Sequence, residues 1–147
     1  SGGIQSNVKQ GVFTLGDLYN VLPFDNETVV MDLSGADIRE LLTISSTLKR
    51  GILQISGGSY AFTNRSVDDF ELRDVMVQGE PLVATRSYRV AASGFLADGG
   101  DEFKTFKRGR NVQVGPLQRE VVRNYVKARC ASGPLDLVVE GRVKRDL

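Results

Sequence analysis

The chain has 147 residues, 41% of them hydrophobic and 25% charged, which is typical of one folded domain with its own core. Nineteen Lys and Arg against 18 Asp and Glu leave a net charge of +1, which excludes a strongly basic surface for nucleic-acid polymers or anionic membranes. Histidine is absent, which excludes Ser-His-Asp and Cys-His catalytic systems and imidazole zinc sites. No apolar run reaches the roughly 18 residues that span a bilayer.

The first predicted helix is short and begins with a capping box. Thr14 has Asp17 three residues later, so each side chain can bond the backbone of the other. The apolar residues that then share one helix face are Leu15, Leu18, Val21 and Leu22. Pro23 ends the helix. The β-branched run Thr28–Leu33 predicts a mostly buried strand.

A second helix follows with the same signal at its start. Ser34 and Asp37 have the spacing of a capping box. The apolar stripe of this helix consists of Ile38, Leu41, Leu42 and Ile44. Lys49 and Arg50 suit its C-terminal end, and Gly51 predicts the residue that stops it.

The middle of the chain predicts strands. The candidate segments are Ser59–Thr63, with Tyr60 and Phe62 on one face, then Phe70–Val77 and Tyr88–Ala92. A turn over 78–81 separates the last two. Gly79 supplies a positive φ there, and Pro81 is expected to prevent immediate strand pairing.

The last third predicts a long helix and a closing strand. The helix runs from Pro116 to Cys130, with Gly133 just past its end. Its apolar face consists of Val121, Val122, Tyr125 and Val126. Cys130, the single cysteine, falls on an apolar position, so we expect a buried structural thiol. A strand over Leu135–Val143 closes the chain. The mixed element order predicts an α+β fold with mixed sheets and two longer helices.

The most informative segment is a glycine-rich loop after the predicted strand Tyr88–Ala92. Residues Gly99–Phe103 spell GGDEF, the signature of diguanylate cyclases. In a cyclase this pentapeptide turns a β-hairpin, so a buried apolar strand should follow it. Here Lys104–Arg110 is basic with one aromatic residue, which cannot be a central strand. We therefore interpret the segment as a ligand-binding loop.

Phe95 is the candidate ligand contact of this loop. Most phenylalanines belong to the core, which is the alternative interpretation. Gly94 before it and Gly99-Gly100 after it give the backbone freedom to present the ring flat to a planar ligand.

The charged residues of the loop have alternatives of their own. Asp98 and Asp101 can contact a ligand or cap their own turn. Together with Glu102 they form an acidic group without a neighbouring base, which is not a catalytic constellation. The loop alone also offers too few oxygen ligands for a hard metal ion. The basic residues that follow are Lys104, Lys107, Arg108 and Arg110. They predict a solvated loop, with phosphate binding as the second interpretation.

Five stretches, in order and with the expected spacing, resemble the C-terminal domain of the 5'-nucleotidase and UDP-sugar hydrolase family. They are Ser1-Gly2-Gly3-Ile4, Leu22-Pro23-Phe24-Asp25-Asn26, Leu53-Gln54-Ile55-Ser56-Gly57, Phe95-Leu96-Ala97-Asp98-Gly99-Gly100-Asp101 and Glu140-Gly141-Arg142. They run almost from the first residue to the last, whereas the cyclase interpretation explains only one of them.

The resemblance implies a two-domain extracytoplasmic enzyme, periplasmic, secreted or at the cell surface. In that family the N-terminal metallophosphoesterase domain holds two divalent metal ions and catalytic histidines, and the C-terminal domain binds the nucleoside or nucleotide. A histidine-free chain fits the second part. Residues 1–147 are therefore expected to be a single substrate-binding domain, inactive alone, of a parent hydrolase whose catalytic domain is not in this chain. The missing initiator Met supports a piece of a longer protein.

The resemblance also assigns candidate substrate contacts. Phe95 corresponds to one of two rings that clamp the base, and Asp101 to an Asp that contacts the ribose hydroxyls. Gly99 and Gly100 complete that loop. The remaining candidates come from the other matched stretches and are Ile52, Gly57, Asn26 and Gln5.

Two of these positions depart from the family pattern. Ile52 stands where the second aromatic wall is expected, and Gln5 replaces an Arg that grips phosphate or carboxylate. Weak nucleoside binding is the expected consequence. The alternatives are a binding module with a degraded pocket and a relative that acts on a non-nucleotide substrate, since the family also includes sulfur-oxidising members.

Overall fold

The computed structural model describes residues 3–47, 52–66 and 69–146, without the side chains of residues 65, 66 and 69. The helices are α1 (Leu15–Val21), α2 (Gly35–Thr47), α3 (Gly94–Ala97) and α4 (Gln118–Cys130). The strands are β1 (Glu27–Ser34), β2 (Gly58–Ser66), β3 (Asp69–Val77), β4 (Glu80–Pro81), β5 (Ser87–Ser93), β6 (Arg110–Leu117) and β7 (Val143–Asp146). Two 3-10 turns, Gly100–Glu102 and Lys104–Arg108, lie between α3 and β6.

Within these residues the strands form two sheets. The three-stranded sheet has the order β5-β1-β6, with β1 antiparallel to both neighbours. The four-stranded sheet has the order β4-β3-β2-β7, with β2 antiparallel to β3 and parallel to β7. The mixed sheets and separate helices confirm the predicted α+β class.

Helix α2 connects the cores of the two sheets. On β1 the alternating residues Val29, Met31 and Leu33 are buried and pack with Leu41 of α2. The next residue of the helix, Leu42, packs in the second cluster with Tyr60, Phe62 and Val75 from the four-stranded sheet. Adjacent helix positions point about 100° apart, so one helix can fill both clusters.

Both predicted capping boxes are present. Thr14 N donates to Asp17 at 2.8 Å, and Asp17 N donates back to the Thr14 hydroxyl at 3.2 Å. The same pair of bonds joins Ser34 and Asp37, at 3.2 and 3.1 Å. Helix α1 ends at Val21, as Pro23 predicts. The predicted end of α2 at Lys49, Arg50 and Gly51 lies outside the described residues.

Three predictions about the middle and last third were wrong. Pro81 does not prevent strand pairing: it belongs to the short edge strand β4 and lies opposite Met76 of β3. An edge strand tolerates the missing N–H of a proline. Pro116 does not begin the long helix. It belongs to β6, and α4 begins at Gln118. Cys130 is exposed rather than buried.

The closing strand was predicted too early. Strand β7 covers Val143–Asp146, and no strand is assigned over residues 135–142. The apolar residues that suggested the earlier strand, Leu137, Val138 and Val139, are 78%, 71% and 100% exposed. Across the described ranges we find no helix with the length and hydrophobicity that crossing a bilayer requires.

Candidate functional site

Strand pairing places the glycine-rich loop at one end of the three-stranded sheet. The β1–β5 ladder ends at Thr28 opposite Ser93. Beyond it, Gly94 lies beside Glu27, since a Cβ on Gly94 would be 3.7 Å from the Glu27 carbonyl oxygen. The chain entering β1 and the chain leaving β5 therefore run side by side at this end.

Local hydrogen bonds fix the start of the loop. The Ser93 hydroxyl accepts from Leu96 N at 3.4 Å and caps the single turn of α3. Asp98 N donates to the Gly94 carbonyl and Gly99 N to the Leu96 carbonyl, each at 2.9 Å. Gly99 has φ +81°, so the turn needs a residue without a Cβ here.

The Phe95 ring projects outward from this turn. It is 49% exposed, whereas Leu96 and Ala97 pack against the buried core of β1. Gly100 lies directly under the ring, because a Cβ on Gly100 would come within 2.5 Å of its Cε1 and Cζ atoms. The expectation that Phe95 is exposed beside Gly99 and Gly100 is confirmed. Its contact with a ligand stays a prediction.

Asp101 and Glu102 adopt a backbone conformation that is rare for residues with a side chain. Asp101 has φ 51° and ψ 36°, and Glu102 has φ 70°. The left-handed region costs about 1–2 kcal/mol for such residues. Strained residues of this kind cluster at ligand sites, where the surrounding structure holds them. The Phe103 N–H, which donates to the Gly100 carbonyl at 3.1 Å, closes the strained turn.

The second half of the connection fastens the loop to the core. Phe103 and Phe106 are 1% and 6% exposed, with ring centroids 6.3 Å apart, and they join the cluster around Met31. The buried Thr105 hydroxyl donates to Glu40 of α2 at 2.7 Å. We call residues 94–102 the ligand-facing arm and residues 103–108 the anchoring arm.

Ion pairs add to the anchoring arm. Arg108 donates to Glu40 at 2.8 Å and to Asp37 at 3.1 Å. The Thr105 hydroxyl, and then Arg108, lower the pKa of Glu40 below its usual range. The Ser34 hydroxyl is the first cause of the lowered pKa of Asp37, and Arg108 adds to it. Arg108, one of the four basic residues for which phosphate binding was the second interpretation, therefore serves the fold.

Arg119 binds the segment 22–25, which leads into β1. The sequence analysis did not predict this role. The Arg119 side chain is only 10% exposed. One Nη donates to the carbonyls of Leu22 and Phe24, both at 2.9 Å, and the other pairs with Asp25. The guanidinium also lies 4.3 Å from the Tyr19 ring centroid.

This arrangement brings Asn26 to the same end of the sheet as Phe95. Gln118 N, at the start of α4, donates to the Asn26 carbonyl at 2.8 Å. Asn26 directly precedes Glu27, the residue beside Gly94. Of the predicted contacts, Asn26 therefore lies at the same end of the three-stranded sheet as Phe95, Gly99, Gly100 and Asp101. Arg119 lies in the first turn of α4, and nothing in the neighbouring sequence indicates that its side chain is buried.

The other predicted contacts lie in different surroundings. Gln5 N donates to the Val21 carbonyl at 3.0 Å, which ties the N-terminal segment to the end of α1. Ile52 is half-buried against the core of the four-stranded sheet. Gly57 has φ +75°, and its carbonyl accepts from Gln78 N at 2.9 Å in the turn before β2. Their proposed roles in binding stay predictions.

The described residues contain no group of three or more His, Cys, Asp or Glu side chains that could hold a metal ion. A groove of about 600 Å³ runs along the N-terminal segment. It is lined by residues 6–10, Val12, Phe13, Asp17 and Asn20, and it does not include Phe95.

Comparisons with known proteins show which family the chain resembles. A sequence model of the family described as "5'-nucleotidase, C-terminal domain" matches residues 1–108. The chain is 30% identical to Protein UshA of Escherichia coli over 141 residues, which is 94% of this chain and 24% of that protein. It is 34% identical to Cell wall protein Lmo0130 of Listeria monocytogenes over 90% of this chain and 18% of that protein.

Solved structures agree as well. A 5'-nucleotidase precursor from Thermus thermophilus superposes with a TM-score of 0.85 and 32% identity, over 98% of this chain and 30% of that one. The NAD nucleotidase of Haemophilus influenzae has the same fold, with a TM-score of 0.81 and 20% identity over 99% of this chain and 29% of that one. The chain thus spans between 18% and 30% of the length of these four proteins.

Proposed function

Because the chain belongs to the 5'-nucleotidase C-terminal domain family, we propose that it is the substrate-binding domain of an extracytoplasmic 5'-nucleotidase-like metallophosphoesterase. Its ligand is a nucleoside or nucleotide, and its parent hydrolyses the phosphoester. The observation that carries this proposal is the exposed Phe95 ring, held over Gly100 by a loop whose far end is buried.

The chemistry of the loop supports a nucleoside. An exposed aromatic ring stacks on a planar base and gains roughly 1–3 kcal/mol per base. Asp101 lies six residues further on in the same loop, and an ionised carboxylate accepts two hydrogen bonds from neighbouring hydroxyls. A base next to a vicinal diol is the ligand that uses both groups.

The catalytic groups are proposed to belong to a separate N-terminal domain. Two divalent metal ions would activate the attacking water and neutralise the phosphate there. This chain contains no histidine, and its described acids form no metal cluster. The bound nucleoside therefore positions a phosphate for groups that come from outside these 147 residues.

An extracytoplasmic location is part of the proposal. Its support is the relative from Listeria monocytogenes, which is named a cell wall protein.

A second candidate is a binding module with a degraded pocket, and two positions favour it. Ile52 stands where an aromatic residue is expected, and it packs partly against the core of the four-stranded sheet. Gln5 has a neutral amide where the family pattern has a cation that binds phosphate. In this candidate the parent acts on a non-nucleotide substrate or the domain only binds.

Titration of the chain with adenosine, followed by ligand-observed NMR, tests the first candidate. We expect weak, saturable binding that ribose alone and uncharged planar dyes do not reproduce. Failure to bind adenosine, its monophosphate and a uridine diphosphate sugar would instead support the degraded pocket.

Activity assays test the division of labour. We expect the chain, purified to homogeneity, to release no phosphate from nucleotides with added manganese, zinc or magnesium. We also expect no cyclic dinucleotide from guanosine triphosphate, because β5 and β6 both pair with β1 and the pentapeptide turns no hairpin. Detectable product in either assay would contradict the proposal.

A further inference from the structure

A single carboxylate of α2 holds the anchoring arm at two points. One oxygen of Glu40 accepts from the Thr105 hydroxyl at 2.7 Å, and the other accepts from Arg108 at 2.8 Å. A second bond from Arg108, at 3.1 Å, reaches the same oxygen as Thr105. These partners lie 65 and 68 residues from Glu40 in the sequence. The position of residues 105–108 therefore depends on a group that belongs to a different element.

Helix α2 is a rigid support for that carboxylate. The residues that follow Glu40 directly, Leu41 and Leu42, are each buried in one of the two core clusters. The capping box of Ser34 and Asp37 fixes the start of the helix. Because close-packed cores resist displacement, Glu40 has little freedom to follow a loop that moves. The loop takes its position from Glu40 instead.

The Thr105 hydroxyl makes this contact obligatory. Thr105 is 2% exposed, and its hydroxyl donates to Glu40. Without an acceptor the hydroxyl would be a buried, unpaired donor, which costs more free energy than the bond itself contributes. The anchoring arm avoids that cost by moving until water reaches the hydroxyl. Loss of the Glu40 carboxylate is therefore expected to displace the arm.

The ligand-facing arm packs directly on the anchoring arm. A Cβ on Gly99 would be 3.3 Å from the Cα of Lys104, the residue before Thr105. The next residue, Gly100, lies under the Phe95 ring. The left-handed turn between the arms also persists only where neighbouring structure holds it. A displacement of the anchoring arm therefore moves the two glycines and the ring above them.

We propose that Glu40 is a positioning residue for ligand binding, which acts through the Thr105 hydroxyl and sets where the ligand-facing arm presents Phe95. Arg108 orients the Glu40 carboxylate by its two bonds. This inference rests on the proposed function, because adenosine is the ligand that reports the position of the ring.

Matched substitutions test the inference by adenosine titration, at a temperature where far-UV circular dichroism shows every variant folded. Glu40→Leu leaves the buried hydroxyl unpaired, so only a minor fraction of the chains keeps the binding geometry and the affinity should fall about tenfold. Glu40→Met replaces Glu40→Leu if the latter does not fold.

A second substitution supplies the rescue. Thr105→Val, added to Glu40→Leu, replaces both hydrogen-bond partners by apolar groups, which can be nearly neutral for the fold. The affinity should return to within about threefold of the unchanged chain. Glu71→Leu is the matched control, since it removes a carboxylate from β3 in the other sheet, and it should leave the affinity unchanged.

Hydrogen exchange of the amides of residues 99–103 measures the loop without a ligand. Exchange should be faster in Glu40→Leu than in the unchanged chain, and it should slow again in the double variant. A general loss of stability would speed exchange in the core strands as well, and Thr105→Val would not reverse it.

The outcomes separate this inference from the proposed function. If adenosine binds Glu40→Leu as tightly as the unchanged chain, the nucleoside function stands and Glu40 has no positioning role. If Glu40→Leu binds weakly and Thr105→Val does not restore the affinity, Glu40 does not act through the hydroxyl and the inference is wrong. If the unchanged chain binds no adenosine, both fail.

Discussion

Phe95 and Phe103 lie eight residues apart in one connection and have opposite surroundings. Phe95 in the ligand-facing arm is 49% exposed, and Phe103 in the anchoring arm is 1% exposed. The first sits over a glycine at the surface, and the second packs in the core of β1 and α2. The same type of side chain is therefore exposed in one arm, where we propose that it contacts the ligand, and part of the core in the other.

The contrast explains how an open loop can hold a strained turn. The left-handed backbone at Asp101 and Glu102 costs free energy. Burial of Phe103, Thr105 and Phe106 directly after the turn offsets that cost, since each buried aromatic contributes several kcal/mol. The buried residues Phe103 and Phe106 therefore stabilise the loop, while Phe95 in the preceding arm stays exposed.

The largest expected effect comes from removing the anchor. Phe103→Ala should destabilise the domain by about 3–5 kcal/mol, because it empties a fully buried site. Urea unfolding followed by circular dichroism measures the change. A loss below about 1 kcal/mol would mean that the site collapses around the cavity and that the two arms differ less than their exposure indicates.

Arg119 extends the comparison to the segment beside the loop. Arg119→Leu should cost about 2 kcal/mol, because hydrogen bonds from a charged donor contribute about 1.5–3 kcal/mol and the Leu22 and Phe24 carbonyls lose theirs. Arg123→Leu, on the exposed side of the same helix, is the matched control and should change little. Equal unfolding midpoints for the two variants would show that Arg119 does not hold this segment.

Phe95→Ala should show the opposite behaviour to Phe103→Ala. We expect folding to stay nearly intact while adenosine affinity falls by about 1–3 kcal/mol. Thermal melting and titration of the same samples separate the two effects. A loss of stability near 3–5 kcal/mol would return Phe95 to the core and remove the residue on which the site depends.

The features that the sequence predicted well are local. A capping box needs residues only three positions apart, so Thr14 with Asp17 and Ser34 with Asp37 were visible without any tertiary information. The exposure of Phe95 was predicted for the same reason, because its neighbouring glycines decide the turn. The alternation on β1 was likewise a property of consecutive residues.

The features that were missed depend on distant partners. Strand β6 has a period-2 signal at Val112 and Val114, but Pro116 suggested a helix start instead. Strand β7 is polar and gains its place from parallel pairing with β2. From the sequence alone Arg119 is expected at the surface, but in the fold it donates to the Leu22 and Phe24 carbonyls, which are distant in sequence. Hydrophobic patterning carries no information about such contacts.

The smallest expected effect is a pH dependence of the anchoring arm. The pKa of Glu40 is lowered by the Thr105 hydroxyl and then by Arg108, and that of Asp37 by the Ser34 hydroxyl and then by Arg108. A carboxyl whose pKa falls on folding contributes stability above its unfolded pKa of about 4, and that contribution is lost as pH falls through the folded value. Melting temperature should therefore decrease below about pH 4.

Glu40→Gln isolates this contribution, since the amide cannot titrate. The variant should melt lower than the unchanged chain at about pH 7, and the two curves should converge toward about pH 3. Arg108 is 57% exposed, so solvent screens its ion pairs. Added salt should therefore reduce the difference in melting temperature between the unchanged chain and Glu40→Gln at neutral pH. Parallel curves at all pH values would show that Glu40 acts only through packing, and the anchoring arm would then depend on Phe103 and Phe106 alone.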